Sequence, residues 1–196
     1  DAYDMEKFGE SFNNIWNIKR KKAAPQNDFS FYIGERFNKL GAVLSLYHKS
    51  NIQNKKDEKQ IAYTMSTGSE KELIPRNSYD FTSSKQTLNL GGLLSFGLEL
   101  DTDHKIGFSN FYNRTANDEA RIYQGYNDDQ STNIRVSRLR YQTEELLSST
   151  LSGDHKIESL LDSIIKWRFN YSFANLDDPD MRQSIYIQSP LTKQYT

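Results

Sequence analysis

Two copies of one tetrapeptide hold the residues best suited to chemistry: Asp103-His104-Lys105-Ile106 and Asp154-His155-Lys156-Ile157. Imidazole and carboxylate together are ligands for transition ions, but neither copy has a further ligand at metal-site spacing. Repeated turn chemistry at matching positions is therefore the simpler reading. Asp128-Asp129 and Asp177-Asp178-Pro179-Asp180 offer oxygen ligands suited to calcium. They lack the EF-hand spacing and fit solvated turns better. Ser and Asp are plentiful, yet no nucleophile elbow or spaced His/Asp pattern accompanies them. Gly91-Gly92 lacks the Lys-Ser/Thr that completes a phosphate loop. Asn113-Arg114-Thr115 and Asn170-Tyr171-Ser172 match the glycosylation triplet, the second inside an expected strand, and both read as chance. The chain is expected to be no enzyme and to hold no metal and no cofactor.

Composition narrows the classes further. There is no Cys, which removes disulfides, zinc-thiolate sites and thiol nucleophiles. A net charge of -1 gives no bulk attraction to nucleic acid, and none is expected as a partner. The mean hydropathy is -0.80, and no run approaches the ~18 apolar residues of a transmembrane helix. That average leaves membrane β-barrels open, because loops and lumen-facing residues dilute the apolar signal. The 12 Tyr and 11 Phe suit strands and membrane-interface girdles alike. No charged-then-apolar leader follows Asp1, so any signal peptide is expected to lie outside this segment.

The elements that must position these residues are read from periodicity. Met5, Phe8, Phe12, Ile15 and Trp16 recur at helical spacing, predicting a short helix that the run Lys19-Arg20-Lys21-Lys22 and Pro25 bring to an end. From Asp28 the period becomes two. Phe29, Phe31 and Ile33, then Leu40, Ala42, Leu44 and Leu46, predict a hairpin turning at Asn38-Lys39. Leu88, Leu90, Leu94, Phe96, Leu98 and Leu100 share the next face, with Gly91-Gly92 expected to mark a bend or bulge. Asp101-Thr102-Asp103-His104 predicts a tight turn. Further strands are expected from Ile106, over about 134–151, and over 163–173, with another beginning near Ile185. The last full run puts Ile165, Trp167, Phe169, Tyr171 and Phe173 on one face and Lys166, Arg168, Asn170 and Ser172 on the other. Polar segments 51–77 and 115–132 read as long connections, the first with a strand extension around Ile61 to Met65, 175–180 as a loop and 152–155 as a short turn.

The connections thus alternate short and long. Outer-membrane barrels have that rhythm, with short periplasmic turns and longer outer loops. The fold expected is all-β, an antiparallel up-and-down meander forming part of a transmembrane β-barrel, preceded by the short N-terminal helix. Residues 1–196 form one segment, with helix and loop over 1–25 and strands over 27–188. Lipid-facing candidates are Leu88, Leu90, Leu94, Phe96, Leu98, Ile165, Trp167, Phe169, Tyr171 and Phe173. Trp167 or Tyr171 would then lie near a headgroup belt, while Lys166 and Arg168 face the lumen.

Several stretches carry a family resemblance: F-N-N-I-W followed by A-P, F-S-F-Y-I-G-E-R-F, K-L-G-A-V-L-S-L-Y, L-S-G-D-H-K-I, I-K-W-R-F-N-Y-S-F-A and D-D-P-D-M-R. Together they resemble the barrel of TonB-dependent receptors of the bacterial outer membrane, closest to the branch with large barrels and elaborate outer loops. The segment has no plug domain, no recognisable TonB-contacting box and no C-terminal aromatic ending. Its six or seven strands fall short of the ~22 that the family implies. The resemblance implies uptake of a scarce nutrient such as a metal chelate, vitamin, glycan or peptide. It also implies outer-membrane lipid around the wall and a TonB-type inner-membrane energy transducer acting through a plug outside this segment. A surface-exposed substrate-binding partner is a further possibility it raises. Segments 51–77 and 115–132 are the expected contact regions, although no ligand-binding residue is identified. The alternative is a soluble all-β ligand- or carbohydrate-binding module with Trp16, Tyr123 and Tyr126 as stacking residues. A third class is a purely structural envelope barrel.

Overall fold

The computed structural model describes residues 5, 7, 8, 15–66 and 71–196. Six strands follow in chain order: β1 (Asn27–Phe37), β2 (Leu40–Met65), β3 (Leu73–Glu99), β4 (His104–Asn127), β5 (Thr132–Ile157) and β6 (Ser163–Ile187). Each pairs antiparallel with the one before it, so the spatial order is the chain order. β1 and β6 are the two edges, and the sheet is open. β2 to β6 run 24 to 27 residues each, far beyond the ~5 to 6 of common globular strands.

The expected meander is present, but several of its boundaries move. Most of 51–77 is strand: β2 continues to Met65 and β3 begins at Leu73. Likewise 115–132 is not a long connection, since β4 runs to Asn127 and only 128–131 turns the chain. Both segments are polar on each face, so they lack the one-sided alternation that reveals a strand in sequence. The neighbouring ladder nonetheless satisfies their backbone groups. The loop expected at 175–180 lies within β6, and 185–187 ends that strand rather than beginning another. Residues 152–155 belong to β5; the chain reverses later, through a short 3-10 turn at Glu158–Leu160. The helix expected over 1–25 falls mainly outside the described residues, and 15–26 form neither helix nor strand. That arm is tethered where the Arg182 guanidinium donates to the Ile15 carbonyl and Gln26 Nε2 donates to the Ile52 carbonyl at 3.0 Å.

Local chemistry explains the turns and irregularities. Asn38 takes φ 55°, the left-handed conformation that a two-residue hairpin loop places at its first position and that Asn tolerates. At the β3–β4 turn the Asp103 N–H donates to Asp101 Oδ1 at 2.9 Å. Pro75 and Pro179 both sit inside strands, each beside a shift of register, at Ala62/Tyr63 and at Tyr141/Thr143. Proline has no N–H for the ladder, and a bulge is where a strand can hold it.

Gly91-Gly92 does not make the expected bulge: the ladders to both neighbours pass through it without a shift. Its glycines serve close approach. A Cβ on Gly91 would lie 2.5 Å from the Tyr47 ring, and one on Gly92 would lie 2.9 Å from Leu46 Cδ2. Gly153 does the same for Trp167, whose indole would be 2.5 Å from an added Cβ. Each aromatic lies over the glycine directly opposite it, an arrangement that compensates for glycine's poor strand packing.

One layer of sheet leaves little to bury. Among the described residues, the buried hydrophobic side chains are Ile134 and Val136, 6% and 1% exposed. Gly125, at φ +151°, is fixed by its surroundings: an added Cβ would lie 2.0 Å from the Ser78 carbonyl oxygen. Gly97 in β3 has nothing within 4 Å of the same position. Gly125→Ala is therefore expected to destabilise the sheet by more than about 1 kcal/mol. Gly97→Ala should be near neutral, and denaturation midpoints of the two variants measure the difference.

Candidate functional site

In an antiparallel ladder, directly paired residues project from the same face. The register can therefore be followed across the sheet. Phe173 pairs with Leu147, Leu147 with Tyr112, Tyr112 with Gly92, Gly92 with Leu46 and Leu46 with Phe31. Rows nearer the β3–β4 turn hold Tyr171, Leu94, Leu44 and Ile33; Phe169, Leu151, Phe108 and Phe96; and Trp167, Ile106, Leu98 and Leu40. Leu88 and Leu90 extend the same face away from that turn. All the residues expected to face lipid thus lie on one side of the sheet, and all are exposed. Phe169 is 65% exposed and nothing covers it among the described residues.

The band from Ile165 to Phe173 covers about 27 Å of strand at 3.4 Å per residue. Its polar members are mostly paired with one another. Asn110 and Ser149 face each other in the Tyr171 row, where Asn110 Nδ2 donates to Ser149 Oγ at 2.6 Å. At the upper border Arg114 meets Glu145 at 3.3 Å. At the lower border His104 and His155 face each other. Glu35, on edge strand β1 near the Asn38 turn, is the charged residue within the band.

The opposite face at this level is mixed: Val43, Leu93, Phe111 and Leu146 lie on it among small and polar residues. Gly41, Gly97, Gly107 and Ser152 form one row that ends in Arg168. Asn170 Nδ2 donates to Thr150 Oγ1 at 2.8 Å and to Ser148 Oγ at 3.2 Å. Lys166 and Arg168 lie on this face, as their phase against Trp167 predicts.

Away from the band the two faces change character. The strands continue for about 50 Å beyond it, and there the buried apolar pair Ile134 and Val136 lies on the side opposite the band, while Ile122, Tyr126, Leu139 and Tyr141 stay on the band side. Phe81, Tyr123, Val136 and Ile185 form one cross-strand row, with Tyr79, Gly125, Ile134 and Ile187 in the next. Tyr79 and Tyr123 meet edge-on with ring centroids 5.0 Å apart. Asn127 Nδ2 donates to Tyr79 Oη at 2.7 Å, and the Arg121 guanidinium lies 5.0 Å from the Phe81 centroid. Burial, and then the adjacent Tyr79, push the Tyr123 phenol above its ordinary pKa.

Charges gather beside these rings. Arg121 and Arg138 face each other across β4 and β5, and Glu119 bridges them at 2.6 and 3.2 Å. Next along, Arg140 Nε donates to both Asp178 oxygens, at 3.0 and 2.9 Å. That hydrogen bond, and then the Arg140 charge, hold the Asp178 carboxyl below its usual range. Sequence reading placed Glu119, Arg121 and Asp178 in connections and Arg138 and Arg140 in a strand, and missed the cluster they form. The alternation of Tyr79 with Phe81, and of Ile134 with Val136, was the signal available.

The remaining candidates are dispersed. Tyr123 and Tyr126 project from opposite faces, and Trp16 lies in the arm before β1, so the expected stacking trio is not one surface. Asp128 and Asp129 pair with Arg76 at 3.4 and 2.5 Å, and Asp180 pairs with Arg182 at 2.5 Å. His104 and His155 come together with their Nδ1 atoms 3.1 Å apart. No group of three or more His, Asp or Glu able to hold a metal occurs among the described residues.

No protein-family model matches the chain, and no curated protein gives a significant match.

The Arg140–Asp178 pair makes a pH prediction. A carboxyl held below its unfolded pKa stabilises the fold above that pKa, and the contribution is lost as pH falls through the folded value. Asp178→Asn should therefore be less stable than the parent at neutral pH. The difference should close as pH falls below the ordinary carboxylate range. Denaturation midpoints at neutral and acid pH check this, and a gap that persists in acid contradicts it.

Proposed function

We propose that the chain is part of the wall of an outer-membrane β-barrel of the TonB-dependent receptor kind, taking up a scarce nutrient. The observation that carries this reading is the uncovered apolar band, which crosses all six strands on one face of a single-layer sheet. Soluble sheets bury such a face against a second layer. A barrel wall instead meets lipid with it and directs its polar face to a wet lumen. The height of the band, about 27 Å along the strands, fits the ~9 to 11 residues that a tilted strand needs to cross a bilayer. No helix among the described residues is long and apolar enough to cross a membrane. In this reading strands do the crossing.

The change of faces beyond the band supports the same reading. A wall standing clear of the bilayer has water outside, so its outward face need not be continuously apolar there. Its inward face is then free to carry the aromatic and arginine cluster of Tyr79, Phe81, Tyr123, Arg121 and Arg138. These residues, on the strand extensions rather than on loops, are the candidate contacts for a nutrient entering from outside. By family resemblance, energy for passage comes from an inner-membrane transducer acting on a plug. The six strands serve as wall, with the two open edges available to further strands.

Insertion tests the reading. Leu94→Arg puts a charge inside the band, in the Tyr171 row, and is expected to cost about 2 to 4 kcal/mol in a bilayer. Ser95→Arg, one residue on and on the other face, should be tolerated. Folding yields into lipid vesicles, scored by protease protection, compare them. A parent chain that is folded and monomeric in plain buffer overturns the proposal, as does equal insertion of the two variants.

A further inference from the structure

The repeated Asp-His-Lys-Ile acquires a new meaning once the strands pair. His104 and His155 are direct partners across β4 and β5, with Lys105 opposite Asp154. The Lys156 N–H donates to the Asp103 carbonyl at 2.8 Å, completing the pairing of the two copies. Two copies of Asp-His-Lys run antiparallel are self-complementary, with acid against base on either side of a histidine pair. The rings lie 5.2 Å apart between centroids, and the Nδ1 atoms approach to 3.1 Å. His155 is also stacked on Trp167, at 6.3 Å and 18° between planes.

We propose that His104 and His155 form a two-histidine site for a divalent transition ion, chelated through both Nδ1 atoms. The argument is geometric. Metal–imidazole bonds of about 2.0 to 2.1 Å at a tetrahedral angle place two nitrogens about 3.3 Å apart, and a right angle places them about 2.9 Å apart. The observed 3.1 Å falls between these values. Both rings are half-buried rather than sealed, so water can complete the coordination shell. Each ring keeps its Nε2 free to carry the ring proton. Imidazole ligands suit zinc, copper(II) and nickel, whereas calcium and magnesium prefer oxygen. Because the ligands come from two strands, the bound ion would clip β4 to β5 at the β3–β4 turn end of the sheet. The site does not depend on the transport reading, since the histidine register is the same whether lipid or water faces it.

Trp167 provides the readout. The folded chain, in detergent micelles or in buffer, is titrated with copper(II) while Trp167 emission is followed in a Trp16→Phe background. Zinc is titrated in parallel by calorimetry. The expected result is one ion per chain, with quenching of Trp167. His104→Ala and His155→Ala should each weaken binding by at least about tenfold, a scale typical of lost metal-site groups. The double replacement should add little to either single one, because either already destroys the chelate. Circular dichroism establishes that the variants keep their sheet. Loss of the sheet in the alanine variants moves the comparison to His104→Gln and His155→Gln, which keep a polar side chain on the ladder. Absence of zinc and copper binding to the parent below millimolar concentration overturns the site. Variants that bind as the parent does also overturn it, leaving the histidines as a simple hydrogen-bonded pair.

Discussion

The continuous antiparallel register from β1 to β6 is the constraint on which the rest of the structure depends. Side-chain direction along a strand is fixed by parity, so every row inherits its face from the strand beside it. A slip of one residue between β3 and β4 would turn the half of the Leu and Phe band carried by β4, β5 and β6 to the opposite face. The short turns resist such a slip. Asn38 in its left-handed conformation and the Asp101-bonded turn fix where the strands reverse. Where the register does shift, at Lys55/Glu58, Ala62/Tyr63 and Tyr141/Thr143, the positions lie beyond the main band. The apolar surface is thereby kept in phase where phase matters most.

Legibility in the sequence follows the same logic. Residues 88–98 and 163–173 were readable because one face is apolar and the other polar, so the period of two stands out. Residues 51–65 and 115–127 carry polar groups on both faces, and a strand wet on each side leaves no such mark. Pro75 and Pro179 reinforced the misreading, since a proline normally argues against a strand and only the local shift of register accommodates it. Gly91-Gly92 was legible as unusual but not as a berth for Tyr47, because the two are separated by a whole hairpin. The histidine pair was hidden for a similar reason: the partners are 51 residues apart, and only the register sets them opposite each other. The expected N-terminal helix lies mainly outside the described residues.

The change of faces divides one sheet into two environments without dividing it into two domains. Near the β3–β4 turn the apolar band lies on the Trp167 side. About 50 Å along the same strands, the buried Ile134 and Val136 and the rings of Tyr79, Phe81 and Tyr123 lie on the Tyr123 side, beside Arg121, Arg138 and Glu119. The ladder runs through this change unbroken between β3 and β4 and between β4 and β5. The continuous ladder sets the Tyr79–Phe81–Tyr123 cluster at a defined distance along the strands from the band.

The antiparallel pairing of two identical Asp-His-Lys stretches works as a palindrome works in a duplex. Each copy is the charge complement of the other only when one is read backwards, so it rewards the native alignment of β4 with β5. Displacing the pair by two residues would set Lys105 against Lys156 or Asp103 against Asp154, like charges directly opposite one another. The motif's charge order is thus consistent with the register in which β4 and β5 pair. Its outer neighbours are bound in as well: Lys105 pairs with Glu99 of β3 at 3.0 Å, and His155 stacks on Trp167 of β6.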